Sequence, residues 1–99
     1  MILGTVTKQP AETFKRFIDF VRRLATGETI TLVAATSKNQ ETGADTTAAI
    51  ISAPAINGTK GEARLSAGAT GDNHVVQIRV TTSLSNVLED EMLVLIREE

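Results

Sequence analysis

Between Asn73 and Arg97 the chain reads NHVVQIRVTTSLSNVLEDEMLVLIR, two strand-forming runs around a short polar turn. From His74 to Thr82, Val76, Ile78 and Val80 fall on one face and Val75, Gln77, Arg79 and Thr81 on the other. That period of two is the pattern of a half-buried strand. Ser83-Leu84-Ser85-Asn86 supplies side chains that bond their own backbone and so reverse the chain. Val87 to Arg97 then starts acidic and ends almost wholly apolar. A hairpin is marginal alone, so the remaining chain must supply a second apolar layer. Nothing in this stretch carries catalytic chemistry.

The 99 residues suffice for one domain, 1–99, and exceed the ~40 below which disulfides or metals are usually needed. With 41% hydrophobic residues but only three Phe and no Trp or Tyr, the core is aliphatic. Cysteine is absent, which excludes disulfides, thiolate metal sites and thiol nucleophiles. The net charge of −2 argues against general nucleic-acid binding, which needs clustered Lys and Arg. No apolar run approaches the ~20 residues that cross a bilayer, and the first residues do not read as a signal peptide. Thr and Ala are the commonest residues. Thr-rich strands with few aromatics suit a thin β-sandwich better than a fold built round a deep pocket.

Along the chain, Ile2 to Thr7 reads as a short first strand or ordered arm, ended by Pro10. Ala11 to Thr26 is ambiguous. As a helix, Phe14, Phe17, Ile18, Val21 and Leu24 form one stripe, with Gly27 near the C-cap. As a strand, Phe14, Arg16, Ile18 and Phe20 face one way. Periodicity alone favours the helix. Thr29 to Thr36 is expected as a strand with Ile30, Leu32 and Ala34 inward. Ser37 to Asp45 is expected as a polar, mobile loop, and Thr46 to Ser52 as a strand before Pro54. Asn57-Gly58 is a strong turn dipeptide. Lys60 to Ala67 alternates around Ala63 and Leu65. About seven short strands with Gly-rich turns read as a β-sandwich.

Candidate chemistry is thin. His74, the single histidine, stands at the start of a strand and reads as a surface or boundary residue rather than a ligand. Glu89, Asp90 and Glu91 are a run in which only Glu89 and Glu91 share a face. That run reads as a solvated strand edge rather than a cation site. Lys15, Arg16, Arg22 and Arg23 make a small basic patch, read as a solvated face. Asn57-Gly58-Thr59 matches a glycosylation sequon without a secretion signal to support it. The expectation is therefore no catalytic, cofactor-binding or metal-binding residue, no cofactor, and no enzyme. The strand Met92 to Ile96 is apolar on both faces. Either the segment containing Phe17 covers its second face, or a neighbouring subunit does.

A family pattern is carried by Lys8-Gln9-Pro10-Ala11-Glu12-Thr13, Ile18-Asp19-Phe20 and Leu24-Ala25-Thr26-Gly27-Glu28-Thr29-Ile30. It continues in Leu65-Ser66-Ala67-Gly68-Ala69-Thr70-Gly71, Val80-Thr81-Thr82-Ser83 and Val87-Leu88-Glu89-Asp90-Glu91. Together these resemble small phage and prophage structural proteins of the fiber-tail adaptor type. The chain departs from that pattern at Leu84-Ser85-Asn86, where the family often has Gly, and in Thr29 to Thr36, which lacks the family's Trp. The resemblance implies an all-β, immunoglobulin-like sandwich of about seven antiparallel strands. It places Phe14 to Phe20 in a strand and Val21 to Thr26 in a short helical turn, against the periodicity. It also implies a non-enzymatic tail component of the virion or a prophage remnant, assembled in the bacterial cytoplasm. The implied partners are other tail or baseplate proteins, or symmetric copies of itself, with no nucleic acid and no membrane. The alternative is a free-standing immunoglobulin-like binding or adhesion module.

Overall fold

The structure, a computed structural model, describes residues 2–98, and the side chains of all of these except Ile2 and Leu3. It is all-β. Seven strands, β1 Ile2–Lys8, β2 Phe14–Asp19, β3 Ile30–Asn39, β4 Ile51–Asn57, β5 Lys60–Leu65, β6 Asn73–Thr82 and β7 Val87–Ile96, form two sheets. One sheet has the order β1-β7-β6-β3 and the other β2-β5-β4. Pairing is antiparallel except for β1, which runs parallel to β7. In immunoglobulin sandwiches, lettered in chain order, strands A, B, E and D share one sheet and C, F and G the other. Here the second, fifth and fourth strands and the third, sixth and seventh follow that order, and the first strand lies beside the seventh instead.

The core lies between the sheets. Val76, Ile78 and Val80 of β6 and Met92, Val94 and Ile96 of β7 face Ile18, Ala63, Leu65 and Phe20 from the other side. The hairpin β6–β7 keeps the alternation written in its sequence. Gly61 sets the spacing between layers: a Cβ there would lie 2.8 Å from Ile78 and 3.1 Å from Val80. Only a residue without a side chain lets β5 come so close.

The segment from Ala11 to Thr26 is β2 followed by a single 3-10 turn over Val21–Arg23, not the helix that periodicity favours. The reason is visible in the burial. Phe17 and Val21, on the helical stripe, are 49% and 53% exposed, while Phe20, off the stripe, is fully buried. β2 pairs with β5 over Phe14–Asp19, and this ladder outweighs the local helical pattern.

Three further expectations are corrected. In β3, Ile30 pairs with Thr82 and Leu32 with Thr81, so a bulge inserts one residue. The bulge reverses the faces that follow: Leu32 is 60% exposed, whereas Ala35 and Ser37 are buried. The expected loop from Ser37 is also shorter, because β3 continues to Asn39. From Thr46 to Ser52 the chain does not run as one strand. It makes one helical turn over Thr47–Ile50 before β4, closed by Ile50 N–H on the Thr46 carbonyl at 3.0 Å. The turn carries the chain from one sheet to the other, and places Ile50 in the core.

Two buried polar side chains tie separate parts of the chain together. Lys8, at the end of β1, has no exposed surface. Glu28, before β3, is buried and accepts hydrogen bonds from the Thr82 hydroxyl, the Ala25 amide at 2.8 Å and the Asn86 side chain at 2.9 Å. These donors, the Thr82 hydroxyl first, hold its carboxyl below the ordinary glutamate value. A lowered carboxylate adds stability that is complete above the ordinary value of 4.5 and is lost as pH falls through the folded value. Glu28→Gln should therefore be less stable than wild type at pH 7. The gap between their melting temperatures should shrink steadily from pH 5 to pH 3. A gap unchanged over that range would show that the carboxylate is not the group held by these donors.

Candidate functional site

A sandwich has four sheet margins, and each leaves backbone groups open to a neighbour unless something covers them. In this chain β3 and β4 form one pair of margins and β1 and β2 the other. β3 is covered along its last residues by the segment that follows it. Thr46 N–H reaches the Ser37 carbonyl at 2.9 Å, the Thr47 hydroxyl takes the Ser37 amide at 2.9 Å, and Asn39 N–H bonds Ala44 at 2.8 Å. β4 contains Pro54 and breaks register between Ser52 and Ala55, two devices that stop strand addition. These margins also contact one another. β2 has exposed Lys15 and Arg16, and charge on an edge strand discourages pairing. β1 has no covering segment, no Pro and, from Gly4 to Thr7, no charge; its one interruption is the register break with β7 between Ile2 and Thr5. Its described side chains before Lys8 are Thr5, Val6 and Thr7, with Gly4 ahead of them.

Between β1 and β2 the sheets part in a cleft of about 250 Å³, lined among others by Gly4, Val6, Arg16, Phe17, Ile18 and Met92. Val6, Ile18 and Met92 are its apolar lining, and half-exposed Phe17, opposite in parity to Ile18, stands at its β2 rim. The Lys60 ammonium lies 4.4 Å from the Phe17 ring centroid. Asp19, on the same lining, is occupied: it accepts from the Thr59 hydroxyl at 2.7 Å and the Val21 amide at 3.0 Å. These bonds, the Thr59 hydroxyl first, hold its carboxyl below the ordinary aspartate value.

A second cleft, of about 270 Å³, lies where the 40–47 segment meets the sheet, beside Lys38, Asp45, Val75, Gln77 and Glu91. Here the expected mobile loop is partly anchored. Ser37 is buried, its hydroxyl lies 2.9 Å from that of Thr46, and Thr46 lies 3.1 Å from His74 Nδ1. Asn39 takes the amides of Glu41 and Thr42. The exposed tip is Gln40 to Ala44, whose ends are held by Gln40 N–H on the Asn73 carbonyl and Asn39 N–H on the Ala44 carbonyl, both at 2.8 Å.

His74 is buried, 2% exposed, and so is not the surface residue its position suggests. Its Nε2 has no hydrogen-bond partner and lies 3.6 Å from an Asp72 carboxylate oxygen. The acidic run does not lie on an edge. β7 is an inner strand, between β1 and β6. Glu89 pairs with Arg79 at 2.9 Å on the outer face, whereas Asp90 points inward and meets Arg23 at 2.5 Å. Arg23 also donates to the Glu89 carbonyl at 3.3 Å. The first β1 residue paired with β7, Ile2, stands opposite Glu91, so Arg23 caps a part of β7 that β1 does not reach. Among the described residues no group of three or more acidic, His or Cys side chains is arranged to hold a metal.

The two-faced strand resolves unequally. Met92, Val94 and Ile96 are core, while Leu93 and Leu95 stand half-buried on the outer face, beside Thr5 and Thr7 of β1 and Val75 of β6. Phe17 does not cover them, because β2 belongs to the opposite sheet. The sequence marks Ile2 to Thr7 as a short strand or arm and Ser37 to Asp45 as a polar loop, but it does not mark the margin of β2. The signal available was Phe17, one of only three aromatics, at a strand position opposite in parity to Ile18.

A search of curated proteins finds no match. A family profile described as podophage GP4 fiber-tail adaptor protein gp77 matches residues 8–95, from the last residue of β1 to the penultimate residue of β7. Covering nearly the whole sandwich, that match shows that the chain belongs to this family of phage fiber-tail adaptors.

Proposed function

We propose that the chain is a non-enzymatic structural part of a tailed-phage particle, or of its prophage remnant, and that it joins tail parts through protein–protein contacts. The observation that carries this reading is the asymmetry of the sandwich. Three margins are covered by a following segment, interrupted by Pro54 or charged, whereas β1 from Gly4 to Thr7 carries no cover, Pro or charge, only a register break at its start. An unprotected edge on a folded domain is an aggregation hazard unless a neighbour occupies it. The Gln40–Ala44 tip, at the far margin, supplies a second surface that can adapt on contact. The partners are other tail or baseplate proteins, with symmetric copies of the chain as a further contact. No nucleic acid, membrane or cofactor enters this reading. The chain would reside in the virion after assembly in the bacterial cytoplasm.

Deleting the gene should give particles with filled heads and tails but without attached fibres in electron micrographs, and supplying the chain in trans should restore them. A chain lacking residues 2–6 should still melt cooperatively yet fail to restore fibres. Mutant particles carrying a full set of fibres would overturn the adaptor role.

A further inference from the structure

The β1–β2 cleft has two features that the isolated fold does not account for, a glycine that nothing requires and a cation that no carboxylate balances. Gly4 stands in β1 where the register with β7 breaks, between Ile2 and Thr5. Its φ is not in the positive range, and an added Cβ would meet no atom within 4 Å. Neither backbone conformation nor internal packing requires glycine there. A glycine inside a strand often marks the close approach of another backbone. Arg16 is the second feature. It shares the inward parity of Phe14 and Ile18, yet it is exposed because the sheets part at this point. Its guanidinium lies 4.2 Å from the Phe14 ring centroid and donates to the Lys15 carbonyl at 2.9 Å. No carboxylate pairs with it among the described residues. The one acidic side chain on the lining, Asp19, is engaged elsewhere.

Building on the adaptor reading, we infer that this cleft receives an extended segment of a neighbouring tail protein, which adds as a strand beside β1, passes its backbone over Gly4 and sets a carboxylate against Arg16. β1 supplies the free main-chain donors and acceptors for such a strand. Successive side chains of an added strand point alternately in and out. An inward apolar side chain meets Val6, Ile18 and Met92, and an inward acidic one meets Arg16. Arginine in a half-dry cleft is matched by the planar, two-oxygen geometry of a carboxylate.

The test uses purified particles of the phage that carries the gene. Arg16→Glu and Gly4→Leu should each lower the copies of the chain per particle on the order of tenfold. Each variant should keep its melting temperature within about 4 °C of wild type, since a Cβ at Gly4 meets no atom and the contacts of Arg16 are exposed ones. Lys15→Glu, on the opposite face of β2, should incorporate normally. A p-benzoylphenylalanine placed at position 5, exposed in β1 on the cleft lining, should cross-link, in assembled particles, to a segment of another tail protein that bears Asp or Glu. Reversing that acid to Arg should restore incorporation of Arg16→Glu. Normal incorporation of both variants, or a cross-link to a second copy of this chain, overturns the inference while leaving the adaptor role standing. Absence of the wild-type chain from purified particles overturns both.

Discussion

Phe20→Ala is expected to lower the unfolding free energy by about 3–5 kcal/mol, the range for truncating a buried aromatic. Phe20 is the one fully buried aromatic among three. Its ring lies under the Arg23 guanidinium at 5.7 Å and reaches to 3.6 Å from where a Cβ on Gly61 would stand. The surrounding core is Ile, Val, Leu and Ala, and strands locked in two ladders collapse little around a void. A domain of this size holds roughly 5–15 kcal/mol in total, so the variant should melt roughly 15–30 °C lower. Phe17→Ala should cost less than about 1 kcal/mol, because half of Phe17 is already in water. The pair discriminates sharply. A helix over Ala11 to Thr26 would put Phe17 on the buried stripe and Phe20 off it, and the order of the two costs would reverse. Urea unfolding of both variants measures this directly.

Removal of the Lys8 ammonium should have the next largest effect. Lys8 Nζ donates to the carbonyls of Gln9 at 2.8 Å, Pro10 at 3.2 Å and Ala67 at 2.7 Å. Gln9 and Pro10 begin the link to β2, and Ala67 follows β5, so one side chain joins the end of β1 to elements of the other sheet. The Ala67 carbonyl is presented by left-handed backbone, with φ of 57° at Ala67 and 96° at Gly68. Burial lowers the Lys8 pKa, against which the nearby Glu12 charge acts to raise it. Two effects oppose each other on substitution. Hydrogen bonds to a charged group are worth about 1.5–3 kcal/mol each, but the desolvation penalty of a buried ammonium is several kcal/mol. Lys8→Met keeps an apolar stem and should lose about 1–3 kcal/mol. Lys8→Ala also gives up three methylenes at about 0.8 kcal/mol each, so its loss should reach about 3–5 kcal/mol. A Met variant as stable as wild type would mean that water satisfies the three carbonyls once the ammonium is gone. The lysine that opens the family pattern is thus explained by architecture rather than by binding.

What the sequence determined alone lies where local pattern and tertiary environment agree. Val76, Ile78 and Val80 alternate against polar neighbours, and β6 buries that face. Asn57-Gly58 and Ser83-Leu84-Ser85-Asn86 turn the chain where their side chains and Gly58, with φ of 60°, allow. β1 at a sheet margin was also legible, from a short Thr- and Val-bearing run ended before Pro10. The tertiary structure decided the rest, each time because a distant partner outweighed a local preference. β5 holds Phe14 to Asp19 extended although their spacing suits a helix. One extra residue at the β3 bulge turned Leu32 out and Ser37 in, and an alternation pattern has no means of registering an insertion relative to a strand fifty residues away. Asp90 is inward and paired because Arg23, sixty-seven residues earlier, comes to lie beside it. His74 is buried because the 46–47 turn folds across it. The candidate site is the clearest case: Gly4 and Arg16 are unremarkable in sequence, and they face one cleft only because β1 crosses to the sheet of β7 and leaves β2 as the opposite lip.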